Sequence, residues 1–141
     1  MMRLSLQTDY ALRTLMYLAT RTGRTTVSDV AGFFGISAHH VGKVVHQLGR
    51  LGYVTNQRGS GGGIVLARLP GEIVVGRVVL DFEGNMHLLD CVSAPGRCVI
   101  QPGCTLRGVL AEAERLQMDY LNSVTLEALL PTPLDLTTFM A

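Results

Sequence analysis

Cys91, Cys98 and Cys104 are the only cysteines of the chain, and they fall within fourteen residues of one another, in the segment DCVSAPGRCVIQPGC. Six and five residues separate them, and two Pro-Gly pairs, Pro95-Gly96 and Pro102-Gly103, mark the segment as a loop. Three thiols cannot all pair as disulfides. Soft thiolates held close together select zinc, copper(I) or an iron–sulfur cluster. Structural zinc usually takes hooks of cysteines two to four residues apart. The wider gaps suit a loop wrapped around something larger than one ion. A cluster on three cysteines needs a fourth or an exchangeable ligand, which is the condition for reactivity. Spacing alone leaves zinc, redox-active thiols and merely buried thiols open beside the cluster.

The histidines are poor fourth ligands. His39, His40 and His46 fall on a helix face that suits another task, and His87, just before Cys91, reads as an exposed loop residue. Enzymatic signatures are missing: there is no Ser/His/Asp arrangement, no His-Glu-x-x-His and no nucleotide-binding strand-loop-helix. The N-terminus lacks a charged-then-apolar signal pattern and no apolar run reaches the length of a membrane span, so a cytoplasmic protein with reduced thiols is expected.

Charge points to a partner. Residues 1–71 carry eight Lys or Arg against two acids, a net +6, and residues 72–141 carry four Arg against nine acids, a net −5. From Val30 to Gly71 there is no acid, while Lys43, Arg50, Arg58 and Arg68 lie there with three histidines. A cationic first half suggests a polyanion.

The elements that would carry these residues follow from periodicity. Thr8 to Thr22 reads as a helix with an apolar stripe of Leu12, Leu15, Met16 and Ala19, closed at Gly23. Thr26-Val27-Ser28-Asp29 is a capping box that starts a second helix through Val30, Ala31, Phe33 and Phe34, stopping at Gly35. Ser37 caps a third helix, running to Arg50, with a buried stripe of Val41, Val44, Val45 and Leu48. Its other face shows His39, His40, Lys43, His46, Gln47 and Arg50. Two short helices joined by Gly35-Ile36 form a helix-turn-helix signal with the second as recognition helix.

Tyr53–Thr55 and Ile64–Arg68 read as strands around a glycine-dense tip, Asn56 to Gly63. No helix follows the glycines, so a phosphate-binding loop is disfavoured. The hairpin is instead a wing, placing Arg58, with Ser60 near it, toward a minor groove. Pro70-Gly71 turns the chain into a helix from about Val75 that buries Val78, Val79 and Phe82. After the cysteines, Thr105 to about Asn122 is a long helix with Leu106, Val109, Leu110, Ala113, Leu116, Tyr120 and Leu121 on one side. Without an obvious partner in so small a chain, that stripe suits packing against its twin in a homodimer.

The expected fold is mainly α with a small β-hairpin. Residues 1–82 form a winged helix-turn-helix domain with its wing at about 53–68. Residues 83–104 form a cysteine-rich cluster loop, and 105–130 a dimerisation helix and a short terminal helix. A tail follows at 131–141.

These features resemble one family over nearly the whole chain: the bacterial winged-helix iron–sulfur regulators, which include IscR-, RirA- and NsrR-like proteins. The resemblance rests on RLSLQTDYALRTLMYLA at the start, the wing RGSGGGIVLARLP with the following IVVGRVV, the three-cysteine loop, and YLNSVTLEALL. Thr8-Asp9-Tyr10, the ISxxHxxKVVxxL pattern from Ile36 to Leu48, and CVIQPGCTL from Cys98 look most like its nitric-oxide-sensing NsrR-like branch. The resemblance implies a homodimeric repressor with an iron–sulfur cluster, 4Fe–4S or 2Fe–2S, held by Cys91, Cys98 and Cys104. It implies that Asp9 of the other subunit is the fourth ligand. IscR-like proteins have a histidine three residues past the last cysteine, where this chain has Arg107. RirA-like iron sensors also have three cysteines and stay open.

The implied partner is double-stranded DNA with a near-palindromic operator, its half-sites roughly 34–36 Å apart. Lys43 and Arg50 are candidates for phosphate contacts, His39, His40 and Gln47 for base edges, and Arg58 for the flanking minor groove, with Ser37 and Ser60 as further DNA-binding candidates. NsrR-like proteins commonly carry an Arg and an Asn at the middle of Ser37-Ala38-His39-His40. The operator of relatives is therefore not expected to transfer unchanged.

Overall fold

The computed structural model describes residues 3–57, 62–89 and 103–130. It is mainly helical with one two-stranded antiparallel hairpin. Helix α1 (Leu6–Ala19) begins two residues earlier than its periodicity suggests, because the Ser5 hydroxyl accepts the Thr8 N–H and caps it. It ends at Thr20, whose hydroxyl donates to the Tyr17 carbonyl; Gly23, with φ of 88°, belongs to the turn beyond. Its buried side is Thr8, Ala11, Thr14, Leu15, Tyr17 and Leu18. Of the expected stripe only Leu15 is fully buried; Leu12, Met16 and Ala19 pack at the edge of the core. The reason is that α1 packs against the third and fourth helices and the hairpin at once. More than one side is covered, and small and hydroxylated residues fill the tight faces.

Helix α2 (Val27–Phe34) has the capping box in both directions: the Thr26 N–H donates to Asp29 at 2.9 Å, and the Asp29 N–H donates to the Thr26 hydroxyl. These bonds, first the backbone one, hold the Asp29 carboxyl below its ordinary value. Gly35 stops the helix with φ of 67°, a conformation that costs a residue with a Cβ. Helix α3 (Ala38–Arg50) follows, with Ser37 as N-cap and Val41, Val44, Val45 and Leu48 buried as the heptad spacing required. Each such side chain contributes roughly 1.5–3 kcal/mol on burial.

Strands β1 (Val54–Gln57) and β2 (Gly63–Leu66) pair from Val54↔Leu66 to Gln57↔Gly63. Asn56 and Gln57 are thus strand residues, not hairpin tip, and β2 stops before Ala67 and Arg68. Thr25 adds a single bridge to Ile64, with the Ile64 N–H donating to the Thr25 carbonyl at 2.7 Å. Gly63 permits that approach, since a Cβ there would lie 2.8 Å from the same carbonyl oxygen. One turn of 3-10 helix at Pro70–Glu72 leads to α4 (Val75–Glu83). Val78 and Val79 are buried as expected, and Phe82 is half-buried, packed against the core.

The last long helix, α5 (Thr105–Asn122), lies against α4 and has no buried residue. Beyond it the chain returns to the core: the Val75 N–H donates to Val124 at 2.9 Å, the Leu126 N–H to Ile73 at 2.8 Å, and Leu126 is fully buried. A Cβ on Gly76 would fall 2.1 Å from the Asn122 amide oxygen, so glycine lets this strap close. A 3-10 turn at Glu127–Leu129 ends the described chain, within the short helical turn expected there.

Candidate functional site

Two regions hold the residues singled out by the sequence. The first is the outer face of α3. His39, Lys43, His46 and Arg50 recur at helical spacing opposite the buried valines, and all are exposed. His40 and Gln47 flank them, also exposed. The N-cap residue Ser37 is exposed too, its hydroxyl accepting the His39 N–H at 3.2 Å. Between this face and the start of α1 runs a groove of about 700 Å³, walled by Gln7 and Tyr10 on one side and by His40, Lys43 and Gln47 on the other, with Phe82 at its end. The Tyr10 ring stands 6.4 Å from the His40 ring, and His40 stands 6.0 Å from His39. Tyr10 was not foreseen as part of this surface. Nothing local in the sequence says that the first turn of α1 borders α3. Among the described residues, no carboxylate lines the groove. The wing candidates Arg58 and Ser60 lie outside the described residues.

The wing is fixed at its base. Tyr53, 1% exposed, donates its hydroxyl to Asp81 of α4 at 2.7 Å, and Arg68 stacks its guanidinium 4.6 Å over the Tyr53 ring. Burial first, and then the bond to the Asp81 carboxylate, push the Tyr53 phenol up to about 12. Arg77 approaches Asp81 from the next turn of α4 at 3.4 Å.

The second region is the surround of the cysteine segment. Cys91 and Cys98 lie outside the described residues. Cys104 occupies the N-cap position of α5, half-buried, with its thiol in no disulfide and capping no backbone N–H. Ahead of the segment, Glu83 at the end of α4 accepts the Ser5 N–H at 2.6 Å and the hydroxyl of the fully buried Thr8 at 2.8 Å. Burial works to raise the Glu83 carboxyl, but the bonds from Ser5 and Thr8 together outweigh it and hold it below its ordinary value. A few residues on, the Leu88 N–H donates to Glu114 of α5, and the His87 ring lies 3.1 Å from the same carboxylate. His87 is an exposed loop residue, as the sequence suggested, and it also has a partner in Glu114. Asp9, one residue from Thr8, is partly exposed and pairs with Arg13 at 2.9 Å in the same helix. Among the described residues, no three His, Cys, Asp or Glu side chains converge as metal donors.

The remaining surface feature belongs to α5. Its expected single stripe divides in two. Leu110 and Leu121 turn toward the half-buried edge, while Leu106, Val109, Leu116 and Tyr120 are 57%, 63%, 55% and 70% exposed. Four large apolar side chains on one uncovered helix face mark an interaction surface. No helix among the described residues is long and apolar enough to cross a membrane.

Comparison with known proteins finds relatives over nearly the whole chain. The Rrf2 family, described as an iron-dependent transcriptional regulator, matches residues 4–132. The HTH-type transcriptional regulator NsrR of Geobacillus kaustophilus is 44% identical, covering 92% of this chain and 90% of the relative. The NsrR of Bacillus subtilis is 39% identical over 96% and 94%. Among solved structures, CymR, the global cysteine regulator of B. subtilis, superposes with a TM-score of 0.77 at 25% identity, covering 92% of this chain and 96% of the other. The IscR of T. potens shares the fold with a TM-score of 0.74 at 24% identity, over 91% and 85%.

Proposed function

The chain belongs to the Rrf2 family of transcriptional regulators, and from that premise we propose that it is an iron–sulfur-dependent DNA-binding repressor that releases its operator in response to nitric oxide. It is a regulator and not an enzyme. Cys91, Cys98 and Cys104 would hold the cluster together with Asp9 of a second copy. The donor set fits: three soft thiolates and one exchangeable carboxylate suit iron, and Cys104 is a free cysteine that caps no backbone N–H among the described residues. Its position at the head of α5 also favours an anionic group there. When bound, a cluster would supply iron able to react with nitric oxide.

One observation carries the coupling of sensor to reader. Both ends of the cysteine segment are fastened: Glu83 before it to Ser5 and Thr8, Leu88 and His87 to Glu114, and Cys104 at the head of α5 itself. A rearrangement at the cysteines that reached Glu83 would pull on the first turn of α1, which walls the groove beside α3. In a homodimer packed through Leu106, Val109, Leu116 and Tyr120, a small rotation of each α3 breaks the register of two half-sites. Reversing occupancy from 99:1 requires about 5.5 kcal/mol between the two states. Lys43 and Arg50 would contact phosphates, with Ser37, His39, His40 and Gln47 near base edges and Arg58 and Ser60 in the minor groove.

The test is Cys98→Ala protein beside the wild type, prepared without oxygen. The variant should lose its iron, bind the operator at least tenfold more weakly and ignore nitric oxide. Tight binding by the variant that nitric oxide still releases would sink the reading. The iron-dependent description of the family supports one second reading, sensing of iron or cluster status. Operators recovered with the protein discriminate: nitric-oxide detoxification genes favour the first, iron-uptake genes the second.

A further inference from the structure

We propose, resting on the reading of α3 and the wing as DNA-binding elements, that Asp81 of α4 is a positioning residue for operator recognition. Through its bond to Tyr53 it fixes the angle at which the hairpin leaves α3.

Tyr53 is the joint between recognition helix and wing. Its N–H donates to the Leu48 carbonyl of α3 at 2.9 Å, its carbonyl accepts the Ala67 N–H just past β2 at 2.9 Å, and β1 begins at the next residue. Arg68 covers the ring at 4.6 Å and donates to the Leu51 carbonyl at the end of α3 at 3.2 Å. Two ties then brace the hairpin from its sides. On the β2 side Ile64 bridges to Thr25, between α1 and α2. On the β1 side the Tyr53 hydroxyl donates to Asp81 at 2.7 Å.

The second tie is polar where packing alone would favour an apolar pair. The Asp81 side chain is 18% exposed, with Arg77 at 3.4 Å, and Tyr53 is buried. Phenylalanine against an apolar residue would fill the same space without taking a carboxylate from water. What the polar pair adds is direction, since a hydrogen bond weakens steeply as its angle bends. Burial and the Asp81 carboxylate push the phenol up to about 12, so it remains a donor throughout the neutral range.

The lever is long enough to matter. Strand β1 has four residues, about 13 Å at roughly 3.3 Å per residue. A rotation of about 5° at Tyr53 therefore moves Gln57, at its far end, by about 1 Å. Good donor–acceptor distances span only about 0.5 Å, so such a shift loses hydrogen bonds made beyond β1. Asp81 also stands two residues before Glu83, which holds the start of α1. One turn of α4 thus braces α1 and aims the wing, directly ahead of the cysteine segment.

A double-mutant cycle tests this, read by fluorescence anisotropy on holo-protein at fixed salt and pH with a labelled duplex carrying a recovered operator. Cluster absorbance is followed in the same samples. Arg58→Gln, at the position directly after β1, reports what the wing contributes. It should weaken wild-type binding by about tenfold. In Tyr53→Phe or Asp81→Ala protein, whose wing is already misaimed, it should cost less than about twofold. Tyr53→Phe alone should lose about tenfold. Asp81→Asn keeps an amide oxygen for the phenol and should stay within about threefold of wild type. A merely structural bond would lower the folded fraction and leave the Arg58→Gln factor equal in every background. That additivity overturns the inference, as does an equal loss in Asp81→Asn and Asp81→Ala, and either leaves the DNA-binding face standing. Arg58→Gln without effect in the wild type overturns the wing's part in recognition, and the inference with it. No operator binding by the wild type overturns the DNA-binding reading itself.

Discussion

Helices α3 and α5 are both amphipathic, yet one completes its burial inside the chain and the other does not. The four apolar residues of the α3 stripe are between 0% and 3% exposed, locked against α1, α2 and the hairpin. The apolar residues on the outer side of α5 are more than half exposed, and the helix contributes nothing to the core. Charge divides the same way, net +6 for residues 1–71 and net −5 for residues 72–141. Surface ion pairs of Arg115 with Glu112 and Asp119 lie along α5, and such exposed pairs stabilise little. The contrast separates a region that folds around itself and leaves a polar face exposed from a region that leaves its apolar face exposed. In the proposed function the first face meets DNA and the second a twin copy.

Leu48→Ala and Leu116→Arg put that contrast to its hardest test. Leu48 is 0% exposed, and truncating it should cost about 2–5 kcal/mol of unfolding free energy. Urea denaturation at two protein concentrations checks this, because a core defect lowers the stability of the fold itself. A loss below 1 kcal/mol would break the contrast from the α3 side.

Leu116→Arg places a charge at a site already 55% exposed, so it should leave the far-ultraviolet circular dichroism unchanged. It should shift sedimentation from dimer to monomer and weaken binding to a two-half-site operator by roughly 100-fold, the scale on which linked sites reinforce one another. Dimeric sedimentation of this variant would remove α5 as the interface.

How far these regions were legible in the sequence depends on how many neighbours each element has. The α3 stripe was read residue for residue because a single face is covered and its period of 3.6 shows cleanly. The capping box at Thr26 and Asp29 and the stop at Gly35 were equally plain, since their partners lie within a few residues. Helix α1 misled. Thr8 and Thr14 are fully buried, the first because its hydroxyl meets Glu83 seventy-five positions away, the second because it bonds the Tyr10 carbonyl one turn back. Hydropathy cannot mark such residues as core, because their hydrogen bonds and not their side chains make burial tolerable. The bridge of Thr25 to Ile64 and the Tyr53–Asp81 bond escaped for the same reason: each joins distant segments by groups that also serve in loops. Of the candidate site, the α3 face was visible as a pattern of charge, whereas the wall supplied by Tyr10 follows only from how α1 packs on α3.

Tyr53→Phe gives the smallest effect and the sharpest reading of the self-contained region. The substitution deletes one hydroxyl and keeps the ring under Arg68, so it should cost about 1 kcal/mol, the net worth of a hydrogen bond. Its pH dependence is more diagnostic than its size. The folded protein holds the Tyr53 proton up to about 12, while an unfolded tyrosine releases it near its ordinary value of 10.0. Between those values the folded state carries the extra proton. The stabilisation is therefore complete below about pH 10 and is lost as pH climbs toward 12. Thermal unfolding across this window should show the wild-type midpoint falling more steeply than that of Tyr53→Phe. Parallel curves would mean that Tyr53 loses its proton as easily in the fold as outside it, and that the wing base is not held by its bond to Asp81. If the variant instead altered the monomer–dimer balance, the wing base would be coupled to α5, and the separation between the two regions would fail at this joint.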